Sequence, residues 1–162
     1  MDSPYFDFDK ASMSAYLCGV IIVQMIWGIF LFNHKQELRM NTTKKIVLVA
    51  DDDNDLLQLV KMQLQQAGFT VQLALNGNGI LKMAADVHPD IILLDIAMDG
   101  ISGGDICKKL KNTDKTSGIP IIMISANDNI EDIAASCGAN DYVRKPFNLQ
   151  AVKDKISRFV PA

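Results

Sequence analysis

Cysteine and histidine are scarce in this chain, with three and two residues among 162. Cys18, Cys107 and Cys137 are odd in number, far apart and free of any CxxC spacing. That excludes a disulfide framework or zinc centre and leaves reduced thiols in a cytosolic domain. His34 and His88 are too few and too distant to build a histidine metal site. An excess of charge of one sign is missing too: the net charge is -3 and no long basic run occurs. Nucleic-acid binding through a basic patch is therefore unsupported, and no nucleic-acid partner is expected. Internal repeats and low-complexity linkers are also absent. The length suits one ordinary domain plus an appendage, not two full-sized domains.

What is present divides into two parts of unlike composition. From Met13 to Phe32 the chain reads MSAYLCGVIIVQMIWGIFLF, without a charged residue. A helix of this length spans about 30 Å, the hydrocarbon thickness of a bilayer. The run is apolar all round, with Ser14 and Gln24 as its main polar interruptions, so a small domain could not cover it. Asp2, Asp7 and Asp9 precede it with only Lys10, the wrong sign for a secretory signal, and no small-residue cleavage pattern follows. Lys35, Arg39, Lys44 and Lys45 on the other flank place the C-terminal bulk in the cytoplasm. The expected organisation is a short extracytoplasmic N-terminus (1–12), a transmembrane helix (13–32), a linker (33–43) and a cytoplasmic domain (44–162), anchored in the cell membrane. A second start competes with this. Met40 opens MNTTKKIVLVADDD, and translation from there would give a soluble cytoplasmic domain with no anchor.

From Lys44 onward strand and helix signals alternate. Strands are expected at Ile46–Ala50, Thr70–Leu75, Ile91–Leu94, Ile121–Ser125 and Asp141–Val143, most of them continuously apolar, as in a parallel sheet buried on both faces. Helices are expected at Leu56–Ala67, Asn78–Ala85, Asp105–Leu110, Ile130–Cys137 and Leu149–Phe159. Gly68 and Gly138 stand where helix C-termini need them. This alternation predicts a doubly wound α/β domain.

In such a sheet ligands bind beyond the carboxyl ends of the strands. The first strand runs into Asp51 and Asp52, the third into Asp95, the fourth ends in Ser125 and the fifth leads to Lys145. Asp52, Asp95, Ser125 and Lys145 are separated by 43, 30 and 20 positions, yet this topology brings them to one edge. Carboxylates crowded together repel, which invites a hard cation, and Mg²⁺ is usually held by one or two carboxylates plus a phosphate. An ammonium and a hydroxyl beside them suit phosphoryl transfer, and a carboxylate can itself accept the phosphoryl group. Asp95, after the buried run Ile91–Leu94, is the best-placed acceptor.

Residues 44–160 resemble the receiver domain of bacterial two-component response regulators. The resemblance is carried by IVLVADD, PDIILLDIAMDGISG, IPIIMISA and DYVRKPF, four motifs in order. It implies a flavodoxin-like (βα)5 sheet with strand order 2-1-3-4-5. It implies phosphorylation of Asp95 by a partner histidine kinase or phosphotransfer protein, or by a small donor such as acetyl phosphate. It implies Mg²⁺ held by Asp51, Asp52, Asp95 and the backbone carbonyl of Ala97. Lys145 matches the lysine that contacts the acceptor and then the phosphoryl group, and its bond to Pro146 is commonly cis in this family. Ser125 matches the switch hydroxyl and Tyr142 the aromatic that turns inward with it, biasing the surface of the fourth helix, fifth strand and fifth helix.

Two positions depart from the family. Asp99, followed by Gly100, replaces the usual proline four residues after the acceptor, though Asp-Gly still suits a turn. Ala97 replaces a larger polar side chain and, with Asn127, is expected to influence hydrolysis of the phosphate. Other residues have plainer readings. Asp53 or Asn54 caps the first helix, which Asp53 and Asp55 open. Gly103 serves a turn or close packing, and His88 lies in a loop. For Tyr142, core packing and a switch role both stay open.

The leading function is a single-domain response regulator without an output domain, catalysing its own phosphorylation and dephosphorylation and signalling to an unknown downstream protein by contact. The alternative is a phosphorylation-independent interaction module at the membrane. An aspartate-nucleophile phosphatase would need a second acid where Ala97 stands.

Overall fold

The computed structural model describes residues 24, 26–29, 44–98 and 100–161 of the chain, which divides into two units at Thr43/Lys44. In the first unit Gln24 and residues 26–29 are helical, with Ile26, Trp27 and Ile29 exposed. The rest of the expected membrane helix, 13–32, lies outside the described residues, as do the N-terminal segment, the whole linker (33–43) and Asp99. Among the described residues no helix is long and apolar enough to cross a membrane.

The second unit is built on five parallel strands: β1 (Ile46–Ala50), β2 (Thr70–Ala74), β3 (Ile91–Asp95), β6 (Ile121–Ser125) and β7 (Asp141–Arg144). Two shorter strands, β4 (Ala97–Met98) and β5 (Ile101–Ser102), pair only with each other. The sheet order is β2-β1-β3-β6-β7, so the five sheet strands counted alone run 2-1-3-4-5 as expected. Strands β1, β3 and β6 are buried at almost every position because helices cover both faces. Val47, Val49, Leu93 and Ile124 pack with α1 (Asn54–Gln66) and α5 (Leu149–Phe159). Leu48, Ile92, Leu94 and Met123 pack on the other face with α2 (Ile80–Val87), α3 (Gly103–Lys111) and α4 (Ile130–Cys137). Each such side chain withdrawn from water contributes about 2 kcal/mol.

Local signals set the helix ends. The Asp53 carboxylate accepts the Asp55 and Leu56 N–H groups at 2.9 and 3.0 Å, so α1 starts two residues earlier than expected. Leu57, Val60 and Leu64 then follow at helical spacing and are buried. Past the helix, Gly68 takes φ +96°, a conformation that lets the chain reverse into β2. Expected and observed spans otherwise differ by a residue or two. The stretch from Gly77 to Gly79 is a 3-10 turn, so α2 begins at Ile80, two residues after the expected Asn78. His88, expected in a loop, is the left-handed cap that ends α2, at φ 49°.

The β4–β5 hairpin was not expected. It pairs Ala97 with Ser102 and Met98 with Ile101, and Gly100, just before Ile101, has φ +79°. Ser102 then caps α3 by accepting the Asp105 N–H. Gly103 donates its N–H to the Ile96 carbonyl at 2.7 Å. A Cβ there would stand 2.0 Å from the Asp95 carbonyl oxygen, so only glycine lets α3 start against the end of β3. Close packing is therefore the role of Gly103.

Candidate functional site

Strand register assembles the site. Ala50 pairs with Leu94, so Asp51, one step on, comes beside Asp95. Asp95 pairs with Ile124, which brings Ser125 to the same edge, and Ser125 pairs with Arg144, just before Lys145. The Lys145 N–H donates to the Ser125 carbonyl at 2.8 Å and fixes where its side chain departs. The Lys145–Pro146 peptide is cis, as the resemblance implied.

Lys145 Nζ lies 2.7 Å from Asp51 Oδ2 and 2.7 Å from Asp95 Oδ1. Both aspartates are buried. Their other oxygens accept backbone donors: Asp51 Oδ1 from Asp53 N–H at 2.9 Å, Asp95 Oδ2 from Ala97 N–H at 2.7 Å. Two buried carboxylates therefore share one ammonium, leaving one negative charge uncompensated. Burial pushes the Asp95 carboxyl above its ordinary value, Asp51 adds to the push, and the bonds from Lys145 and Ala97 offset only part of it. Burial opposes the charge on Lys145, but its bonds to Asp51 and Asp95 outweigh this and raise its pKa.

The other candidates stand around this centre. Asp52 is exposed on an open groove of about 390 Å³ that Ile96, Ala97, Met98 and Ile101 also line. Ser125 is buried at the strand end, where its Oγ accepts the Asn127 N–H at 3.1 Å. Tyr142 is half-buried against the core, and its hydroxyl donates to Glu131 Oε2 at 3.0 Å. The ring thus packs against the core, and the hydroxyl has Glu131 as its partner. The structure brings Asp51, Asp95 and Lys145 into contact and puts Ala97 on Asp95.

The donor set fits a hard cation. It offers carboxylates, a site with a net negative charge and an open groove, with no thiol or imidazole among them. Among the described residues no three acidic, histidine or cysteine side chains converge into a ready-made metal cage. Mg²⁺ does not need one, since it keeps waters and takes phosphate oxygens beside one or two carboxylates.

Two participants were missed in the sequence. Asp-Gly between apolar residues in IAMDGIS was a hairpin signal, which shapes the groove wall. Glu131 carried no signal as the partner of Tyr142, because an acid in a helix's first turn reads simply as a complement to the dipole.

Comparison with known proteins identifies the family and the fold. The family model of the response regulator receiver domain matches residues 47–157. The DNA-binding response regulator MtrA of Mycolicibacterium smegmatis is 34% identical over 110 residues, 67% of this chain and 47% of that protein. The chain spans about half the length of the curated relatives it matches. Among solved structures, chemotaxis protein CheY4 of Vibrio cholerae superposes with a TM-score of 0.68 at 26% identity, covering 73% of this chain and all of that one. Response regulator TrrA of Thermotoga maritima, solved in complex with Mg²⁺-BeF, has a TM-score of 0.66 at 32% identity, covering 72% of this chain and 99% of that one.

Proposed function

Because the chain belongs to the response regulator receiver family, which serves two-component phosphorelay signalling, we propose that Asp95 is the residue that takes the phosphoryl group. The observation that carries this is the buried Asp51–Lys145–Asp95 cluster at the carboxyl edge of the sheet. A carboxylate of raised basicity is a better nucleophile, and Asp95 is held in one orientation by Lys145 and the Ala97 N–H. A lone pair on its carboxylate attacks phosphorus. The P–N bond to a histidine of the kinase or phosphotransfer protein breaks, and the electron pair leaves with the imidazole. With acetyl phosphate the P–O bond breaks and acetate leaves. The Lys145 ammonium neutralises charge on the phosphoryl oxygens as they arrive. Attack by water at phosphorus reverses the modification, releasing inorganic phosphate and restoring the carboxylate. Ala97 presents only a methyl group beside this path.

Mg²⁺ is the expected cofactor, held by Asp51, Asp52, Asp95 and the Ala97 carbonyl. When bound it supplies charge neutralisation and orientation for phosphate oxygens. The Mg²⁺-BeF complex of the Thermotoga relative supports that reading. Ser125 and Tyr142 then report the state of Asp95 to a protein partner, and residues 13–32 anchor the domain at the cell membrane, where tethering raises its effective concentration towards membrane partners.

Labelling of the full chain by acetyl phosphate tests the reading. It is expected to require Mg²⁺, to stop on chelation and to vanish in Asp95→Asn. Asp52→Asn is expected to raise the Mg²⁺ concentration needed for labelling. Failure of the native chain to label, or undiminished labelling of Asp95→Asn, would overturn the assignment.

A further inference from the structure

Hydrogen bonds lead from Ser125 through the following loop into the first turn of α4, and a separate bond from Glu131 in that turn holds Tyr142; phosphoryl transfer itself makes no use of this last bond. Ser125 Oγ accepts the Asn127 N–H at 3.1 Å, and Asn127 Oδ1 accepts the Asn129 N–H at 2.8 Å. Asn129 is the residue before α4, and its carbonyl accepts the Ile133 N–H at 3.0 Å, closing the first turn of that helix. Glu131 lies in this turn and takes the Tyr142 hydroxyl at 3.0 Å. Tyr142 belongs to β7, three residues before Lys145, with Lys155 and Arg144 at 5.6 and 6.0 Å from its ring centroid. The bond from Tyr142 to Glu131 therefore ties the strand that delivers Lys145 to the helix that the Ser125 loop leads into.

The geometry gives that bond a direction of action. Ser125 has one hydroxyl hydrogen to donate, while its oxygen now serves the loop. A phosphoryl group on Asp95, one strand away, offers the hydroxyl new anionic acceptors. Turning Ser125 towards them draws on Asn127, Asn129 and the first turn of α4. The Glu131–Tyr142 bond crosses the boundary that this movement shears. Glu131 also pushes the phenol above its ordinary pKa, chiefly through the hydrogen bond itself.

We propose that Glu131 is a latch: a positioning residue that holds the Tyr142 hydroxyl on α4 and favours the unphosphorylated arrangement of the acceptor region. This rests on the reading of Asp95 as the phospho-acceptor. Coupling is reciprocal, so phosphorylation loosens the latch by as much as the latch opposes phosphorylation.

Two readouts on the full chain test the latch: the initial rate of labelling by acetyl phosphate with Mg²⁺, and amide hydrogen exchange without phosphodonor. The bond is exposed, which limits its worth, so Glu131→Ala is expected to label about five-fold faster than native. Its amides in β7 and the first turn of α4 should exchange faster as well. Glu131→Gln keeps an acceptor oxygen for the hydroxyl and is expected within about two-fold of native, whereas Glu131→Leu keeps comparable bulk without an acceptor and is expected to label as fast as Glu131→Ala. Tyr142→Phe should accelerate labelling like Glu131→Ala, and the double variant should add nothing further. A native chain that labels while Glu131→Ala labels no faster overturns the latch and leaves the acceptor assignment standing. A native chain that does not label overturns the acceptor assignment, and the latch with it.

Discussion

Lys145 neutralises two buried carboxylates with a single ammonium, so removing the cation and removing one of its partners have opposite consequences. Lys145→Met leaves Asp51 and Asp95 facing each other without a counterion and is expected to cost about 2–3 kcal/mol of stability. Asp95→Asn removes the uncompensated charge while keeping the shape, and is expected to stabilise by on the order of 1 kcal/mol. Its pH dependence carries a definite sign. The folded pKa of Asp95 is raised, so its ionised form counts against folding above that pKa. As pH falls through the raised value towards the ordinary 3.8, the native carboxyl takes up its proton and the penalty disappears. Urea midpoints of native and Asp95→Asn should therefore differ most near neutrality and converge in acid. A gap that widens in acid would contradict the account. All of the participants were legible in the sequence as strand-end polar residues. Their sharing of one ammonium was not, because it depends on which carboxylate oxygens face Lys145 across three strands.

At the scale of elements, the acceptor is positioned by the junction of β3, the β4–β5 hairpin and α3. Gly103 is its tightest point, since an added Cβ would lie 2.0 Å from the Asp95 carbonyl oxygen and 2.9 Å from the Ile96 Cα. Both are backbone atoms, which cannot swing aside as a side chain can. Gly103→Ala is expected to cost more than about 2 kcal/mol and to slow labelling, because relief requires moving α3 away from the acceptor. Chemical denaturation and acetyl phosphate labelling check the two effects. The helices and sheet strands were readable because their apolar periodicity is set by burial against a common sheet. The hairpin was harder to see, because two-residue strands carry too short a pattern to show a period, and only Asp99–Gly100 marked it. Glu131 illustrates the same limit from the other side. Its contact with Tyr142 joins a helix to a strand 11 residues away, a relation that no local pattern encodes.

On the scale of the whole molecule, alternation of buried strands and amphipathic helices makes a doubly wound sheet, and the observed order β2-β1-β3-β6-β7 gathers distant acids into one site. The N-terminal unit is a separate matter. Its uncharged stretch, Met13–Phe32, argues for a membrane anchor on composition, whereas Met40 offers a start that would omit it. Fractionation of the native protein, with its N-terminal residue identified, separates these. Recovery with membranes and a start near Met1 is the outcome expected for the anchored protein; soluble protein starting at Met40 would remove the anchor and leave the receiver chemistry untouched. That chemistry depends on one residue. Its most direct test is to expose the full chain to acetyl phosphate and Mg²⁺, trap the acyl phosphate by borohydride reduction, and map the modified peptide by mass spectrometry. The account predicts a single reduced side chain at Asp95; modification at Asp51, Asp52 or elsewhere, with Asp95 unaltered, would contradict it.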